Sequence, residues 1–162
     1  MTILGLDLSL SCSGRCIFSN NKVITYGKIT TKKQDFENDL DRLKYIADEI
    51  QLIINKYEIH QAVIEDSVPA KHSRSVMQLN ILKGEVIRTL TLNFIPVGLI
   101  FPLSVKKLVT GNGKASKEEV AEYIRANYID CGEYNDSQSK RKTSDIYDAI
   151  SIAIAWSKKQ LE

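Results

Sequence analysis

Three apolar segments of this 162-residue chain are each closed or opened by a carboxylate. Asp7 ends Ile3-Leu4-Gly5-Leu6, Glu65 ends Ala62-Val63-Ile64, and Asp145 and Asp148 open the stretch from Ala149 to Trp156. Runs of this kind become core strands and helices, and an unpaired carboxylate at the edge of a core is expensive. Asp145 and Asp148 are three apart, so on a helix they share a face, with Cβ atoms about 5–6 Å apart. Taken alone, that pair has a bland explanation: acids near a helix N-terminus complement its dipole for about 0.3–1 kcal/mol each. Asp7 and Glu65 change the balance. Two carboxylates about 5 Å apart repel by roughly 3 kcal/mol at an effective dielectric of 20. No basic residue lies in the two apolar strand segments to pair with them. A fold that gathers all four acids therefore needs a divalent cation. An all-oxygen site suits Mg²⁺. Two such ions about 3.5–4 Å apart can serve both the attacking and the leaving oxygen of an in-line phosphodiester displacement.

The pattern around these acids reads as an α/β domain. Thr2 to Ser9 is apolar enough for a central strand buried on both faces. Gly14–Ser19 and Lys22–Lys28 are β-prone and meet at Asn20-Asn21, a hairpin signature, which gives three antiparallel strands. A helix is expected over Phe36–Tyr57, where apolar residues step by three or four, then a buried strand over Gln61–Glu65. Ser73–Leu92 reads as a second helix, with Val76, Leu79, Leu82, Val86 and Leu90 on one face and Met77, Ile81 and Ile87 elsewhere. Apolar residues on more than one face suit a helix that either lies under a sheet or meets another chain. Phe94–Gly98 reads as a short strand, Lys117–Asn127 as a helix capped by Ser116, 130–143 as a polar loop, and the last helix is capped by Ser144. The later strands are expected to be parallel, joined by right-handed crossovers.

The length fits one domain, residues 1–162, with enough surface to bury for a real core. No apolar run approaches the ~20 residues that span a bilayer. The first residues lack a basic region and a cleavage site, so no signal peptide and a cytoplasmic location, in a bacterial cell or a phage-infected host, are expected. The net charge is only +2, yet bases cluster at Lys71–Arg74, Lys106–Lys117 and Lys140–Lys142, away from the acid-rich 35–48. Segregated charge of this kind can present one basic face to a polyanion. Cys12, Cys16 and Cys131 are read as free thiols, because no second Cys/His pair completes a zinc site. His60 and His72 read as surface residues and Trp156 as core; Asp66, next to Glu65, faces the opposite side of its strand.

With these residues in view, the chain resembles the RuvC family of Holliday-junction resolvases, within the RNase H-like superfamily. The likeness runs from Ile3 to about Trp156 and rests on ILGLDLSLSCSG with Asp7, AVIEDSVPAKHS with Glu65, SVKKLVTGNGKASKEEV from Ser104 to Val120, and SDIYDAISIAIAW with Asp145 and Asp148. The resemblance implies a five-stranded mixed sheet flanked by helices and paired symmetric nicking of four-way DNA junctions. It implies two Mg²⁺ per site, replaceable by Mn²⁺, and a homodimer through the helix 73–92. On it, Asp7, Glu65, Asp145 and Asp148 are catalytic metal ligands. Lys106 and Lys117 lie beside the scissile phosphate, and Lys71, Arg74, Lys107 and Lys114 are further candidate DNA contacts. A lysine there offsets developing charge and positions the strand.

Two departures stand out. Where the family often has an aromatic residue three positions after the glutamate, this chain has Val68, followed by Pro69. Valine has no π-face on which a base can stack. The loop 130–143 is longer than in typical bacterial members, and Lys140-Arg141-Lys142 within it reads equally as a DNA-backbone contact or as solvated charge. Competing readings are a related nuclease for other branched DNA or RNA–DNA hybrids, a non-catalytic junction-binding protein, and an actin- or sugar-kinase-like ATPase. The last is disfavoured by a chain too short for two lobes. Frequent Ile, Lys and Asn point to an AT-rich genome, bacterial or viral.

Overall fold

The computed structural model describes residues 1–66, 74–129 and 144–161. Five strands form one sheet: β1 (Thr2–Asp7), β2 (Cys12–Ser19), β3 (Lys22–Thr30), β4 (Gln61–Glu65) and β5 (Val97–Ile100). Five α-helices cover it: α1 (Asp39–Lys56), α2 (Arg74–Leu92), α3 (Pro102–Thr110), α4 (Lys117–Tyr128) and α5 (Ser144–Lys159). The strand order is β3-β2-β1-β4-β5, with β1–β3 antiparallel and β1/β4 and β4/β5 parallel, as expected from the sequence. The β2–β3 turn places Asn20 and Asn21 at φ 50° and 60°. Two consecutive left-handed residues make the hairpin turn whose twist matches the flanking strands.

Alternation divides the core. Leu4, Leu6, Ile17, Ala62 and Ile64 pack with Leu43, Ile46 and Ile50 of α1 and Leu82, Val86 and Leu90 of α2. Ile3, Cys16, Phe18, Val63 and Ile100 pack on the other face against α3, α4 and α5. Asp7 and Glu65 continue the second series by period two, so both belong to the α5 face. In α5 every residue from Ala149 to Trp156 is buried, as expected of a helix held between a sheet and other helices.

The sheet accepts α5 because glycine stands beneath it. A Cβ on Gly5 would lie 2.5 Å from the Ala149 carbonyl oxygen, one on Gly14 would enter the Asp145 carbonyl, and one on Gly98 would enter the Trp156 ring. Gly14 is also the cross-strand partner of Asp7. One residue without a side chain thus sets the first strand's acid beside the last helix.

Several boundaries differ from the sequence reading. The first long helix starts at Asp39 rather than Phe36, because the Asn38 side chain accepts from the Leu40 and Asp41 amides and caps it. The last strand is Val97–Ile100 rather than 94–98, because Phe94 sits at φ 57° and closes α2. Helix α3 went unforeseen. Pro102 occupies its first turn, where its missing N–H costs nothing. Ser116 caps α4 as expected, in a reciprocal capping box with Glu119. Ser144 is the first residue of α5 rather than its cap. Trp156 is core and His60 is exposed, as read. Cys12 and Cys16 are free thiols; Cys131 and His72 lie outside the described residues.

Gly14→Ala is expected to destabilise the protein by about 1–3 kcal/mol or more, since the new methyl meets backbone that cannot rotate away. Urea unfolding of the variant measures this; a midpoint equal to wild type would show that α5 does not depend on that contact.

Candidate active site

The four acids come from three elements. Asp7 is the last residue of β1, Glu65 the last of β4, and Asp145 and Asp148 stand in the first turns of α5. Behind Asp7 the chain turns sharply through Leu8–Ser11, stitched by short-range bonds. The Ser13 hydroxyl donates to the Ser9 carbonyl at 2.7 Å and accepts from the Ser9 amide at 3.0 Å, while the Cys12 amide donates to the Ser9 hydroxyl at 3.1 Å. The buried Arg42 of α1 clamps the far side, donating to Thr31 Oγ1 at 3.1 Å and to the Leu10 carbonyl at 3.3 Å. The turn after Asp7 is therefore fixed by polar bonds on both flanks.

Carboxylate oxygens of Asp7, Asp145 and Asp148 all lie within 4.8 Å of one another. Glu65 is not part of that tight group, yet it lines the same cavity of about 290 Å³ together with Lys106, Lys117, Pro102, Val105, Val120 and Ser151. Lys117 reaches across from α4 and donates to Asp148 Oδ2 at 2.7 Å. Lys106 lines the cavity from α3, and its ammonium is held by the Ala115 carbonyl at 2.7 Å. Burial foremost, then the charges of Asp148, Glu65 and Asp145, push Asp7 from 3.8 up to about 7. Burial and Asp148 also raise Glu65, against the opposing pull of Lys117 and Lys83. The hydrogen bond to Asp148 holds Lys117 above its ordinary value. Burial raises the Cys12 thiol to about 11, helped by a hydrogen bond to Asp145.

An all-oxygen cluster whose central acid resists ionisation fits a hard divalent cation, which replaces repulsion with attraction at each oxygen. Asp7, Asp145 and Asp148 are the residues placed to hold it, with Glu65 on the rim of the same cavity.

The other residues singled out in the sequence fall at varying distances from this cavity. Lys107 and Lys114 are exposed on α3 and the turn after it. Arg74 opens α2 and faces Asp39 of α1 at 3.7 Å; it does not line the acid cavity. Lys71, Val68, Pro69 and Lys140–Lys142 lie outside the described residues. Two residues near the acids were missed. Lys83 of α2 pairs with Asp66 at 2.7 Å and shares a small cleft with Asp7 and Glu65. Ser151, buried on α5, donates to the Tyr147 carbonyl at 2.6 Å and lines the acid cavity. Only the placement of Asp66 on the α2 side of β4 hinted at Lys83.

Comparison with known proteins now adds to the geometry. A family model described as Crossover junction endodeoxyribonuclease RuvC matches residues 3–156. The Crossover junction endodeoxyribonuclease RuvC of Ehrlichia chaffeensis is 33% identical over 165 residues, covering 98% of this chain and 99% of the relative. That of Helicobacter pylori strain P12 is 34% identical over 161 residues, covering 95% and 94%. Among solved structures, T. thermophilus RuvC in complex with Holliday junction substrate superposes with a TM-score of 0.83 at 19% identity, over 99% of this chain and 94% of that one. The yeast mitochondrial Holliday junction resolvase does so at 0.73 and 16% identity, over 98% and 78%. Both structures share the fold.

The acid cluster predicts a pH signature in the cation-free protein. Asp7 titrates near 3.8 unfolded and about 7 folded, so between those values the native state holds the extra proton. Stability from this residue is full below pH 3.8 and is lost as pH rises through 7. Asp7→Asn removes that loss. In chelator the variant should equal wild type near pH 4 and exceed it at pH 8, by on the order of 1–3 kcal/mol after allowance for solvent screening. Denaturation across that range tests it; a pH-independent difference would refute the coupling.

Proposed function

The chain belongs to the RuvC family of crossover junction endodeoxyribonucleases, and from that premise we propose a structure-selective endonuclease that resolves four-way DNA junctions with Mg²⁺ bound at Asp7, Glu65, Asp145 and Asp148. The observation that carries this reading is the carboxylate trio within 4.8 Å, in a cavity that also admits two lysines. When bound there, divalent ions supply Lewis-acid polarisation of a phosphoryl oxygen and activation of the attacking water, with Mn²⁺ an expected substitute. The acids orient that charge from three rigid elements. Lys117 and Lys106 flank the cavity and offset negative charge on the phosphate in the transition state. Pro102, Val105 and Val120 give the wall an apolar surface that limits water and strengthens those interactions. Lys107 and Lys114 are exposed on α3 and the turn after it and suit backbone phosphates further along the strand.

The protein works, on this reading, as a single nuclease domain in the cytoplasm, and as a homodimer. Support for the dimer lies on α2, where Met77 and Ile81 are exposed and a Cβ on Gly84 would meet nothing within 4 Å. Two apolar side chains beside a glycine let a second helix approach closely. A two-fold pair would present two acid clusters to opposite strands, as symmetric nicking requires.

Asp7→Asn, Asp145→Asn and Asp148→Asn should each reduce Mg²⁺-dependent cleavage of a synthetic four-way junction by roughly a thousand-fold or more while junction binding persists. A panel of junction, fork, flap, linear duplex and RNA–DNA hybrid, cut in parallel, tests substrate choice; retained cleavage by these variants, or equal cutting of linear duplex, would sink the reading. Ile81→Asp should yield monomers in sedimentation velocity, with junction cutting reduced to unpaired nicks.

A further inference from the structure

The end of α2 breaks two local rules at one residue. Phe94 stands at φ 57° with 94% of its surface exposed. Among the described residues the other non-glycines in the left-handed region are Asn20 and Asn21, a type that tolerates it; a bulky ring does not. The hydrogen bonds account for the backbone. The Ile95 amide donates to the Leu90 carbonyl and the Phe94 amide to the Thr91 carbonyl, both at 3.0 Å. These are the paired bonds of a helix stop in which Phe94 holds the place that glycine usually takes. Ile95 then turns into the core. Glycine would serve the stop with less strain, and the ring buries almost nothing within its own chain.

Its place in the fold narrows what can cover it. Asp7 and Glu65 stand at the carboxyl ends of β1 and β4. Leu79, Asn80 and Lys83 of α2 share a cleft with those acids, so this stretch of the helix lies level with them. Phe94 lies beyond the other end of α2, roughly 15 Å past that level by helical rise. It adjoins Pro96, whose carbonyl accepts from the Ala62 amide at the start of β4. The ring therefore marks the end of the domain away from the acid cluster, and a protein surface suits it better than a nucleic acid.

The outward face of α2 leads to it. Met77, Ile81, Gly84, Arg88 and Leu92 are all exposed and follow one another by four, three, four and four residues. That spacing keeps one face in line over several turns and lets two helices run side by side at a small crossing angle. Within the seam Gly84 has no side chain, and Arg88 is charged and paired with Glu85 at 3.5 Å. Apolar contact therefore falls to the two ends, Met77 with Ile81 at one and Leu92 with Phe94 at the other. Two acid clusters open to one junction only when the two-fold axis runs along the strands. The two α2 helices then point the same way, and each residue of the seam meets its own copy.

We propose that Phe94 packs against the partner subunit's Phe94 across the two-fold axis and closes the dimer at the end away from the DNA. This rests on the homodimer of the function proposed above, and adds the direction of its helices and the anchor at their far end. Pairing takes both rings out of water, which is the reason for a strained phenylalanine where glycine would end the helix. A different protein is the competing occupant. The unbroken run of exposed positions from Met77 to Leu92 favours a second copy.

Self-association of the full-length protein, followed by sedimentation velocity over a dilution series, is the test. Phe94→Gly should weaken the dimer roughly thirtyfold, the size of a hot-spot loss. The same substitution relieves the left-handed backbone, so at dilutions where both proteins are monomeric its urea midpoint should rise. Weaker assembly with a sturdier monomer is a pair of changes that a misfolded variant cannot produce. Phe94→Cys, oxidised with diamide, should give a disulfide-linked dimer on a non-reducing gel that wild type, with its own three cysteines, does not give. The proposal is overturned if Phe94→Gly associates like wild type, which would leave the ring to another protein. It is equally overturned if a mixture of Met77→Cys and Leu92→Cys links one variant to the other, which would set the helices antiparallel. A wild type that stays monomeric at every concentration defeats the dimer reading and this contact together. A wild-type dimer that Phe94→Gly does not weaken defeats the contact alone. A dimer that meets these expectations yet leaves a four-way junction uncut in Mg²⁺ defeats the nuclease reading alone.

Discussion

The seating of α5 on side-chain-free strand backbone is the contact on which the site depends. Gly14 lies across from Asp7 in the sheet, and the space its Cβ would fill belongs to the Asp145 carbonyl. Gly5 repeats the arrangement under Ala149, with Ala153 beside it. A helix resting on ordinary side chains would stand further from the sheet and separate carboxylates that here lie within 4.8 Å. The buried run from Ala149 to Trp156 supplies the cohesion for this approach, with Ile150, Ile152 and Ile154 worth about 1.5–3 kcal/mol each against exposure. Packing thus overcomes a repulsion that would otherwise drive the acids apart.

Strand alternation then sorts the charges. Glu65 faces α5 and the acid cluster, while Asp66, one residue on, pairs with Lys83 on the α2 side. That pair fixes the end of β4 from behind, and Lys83 is one of two lysines that oppose the rise of the Glu65 carboxyl. Arg42 performs a similar service for the other strand end by holding the turn after Asp7. Asp7 and Glu65 therefore each project from a strand end that is itself braced from the opposite face. Support of this kind would keep the acids in place for a cation that they are proposed to hold.

The parts of this design that were legible in sequence are those set by local pattern. Apolar runs ending in acids gave Asp7, Glu65, Asp145 and Asp148; an Asn-Asn step gave the hairpin; Ser116 with Glu119 gave the start of α4. What escaped depends on partners distant in the chain. Lys83 is unremarkable in the periodicity of α2 until Asp66 is placed beside it. Arg42 lies within an amphipathic helix yet is buried, because the turn at Leu10 and Thr31 offers it three oxygens. The glycines looked like ordinary strand glycines, and only the position of α5 gives them a purpose. Helix α3 is short and opens on a proline, whose place in a first turn shows only once the strand before it is fixed.

Why carboxylates rather than neutral oxygen donors follows from the same geometry. Amide or hydroxyl ligands would sit in this cavity without repulsion and would hold a divalent cation with only dipoles. The acids do the reverse: empty, the cluster retains a proton near neutral pH at Asp7, and a cation must displace it. Cation affinity is therefore set by a competition that favours the cation as pH rises through 7. Lys117 limits how far that competition goes, since its ammonium already neutralises part of Asp148 at 2.7 Å. An incoming phosphate offers that ammonium a second anionic partner. Its shift toward the substrate would free Asp148 oxygen for the cation, so phosphate and cation each improve the site for the other. On the proposed reading, the ion pair at Asp148 is the point where binding of the strand and binding of the metal would meet.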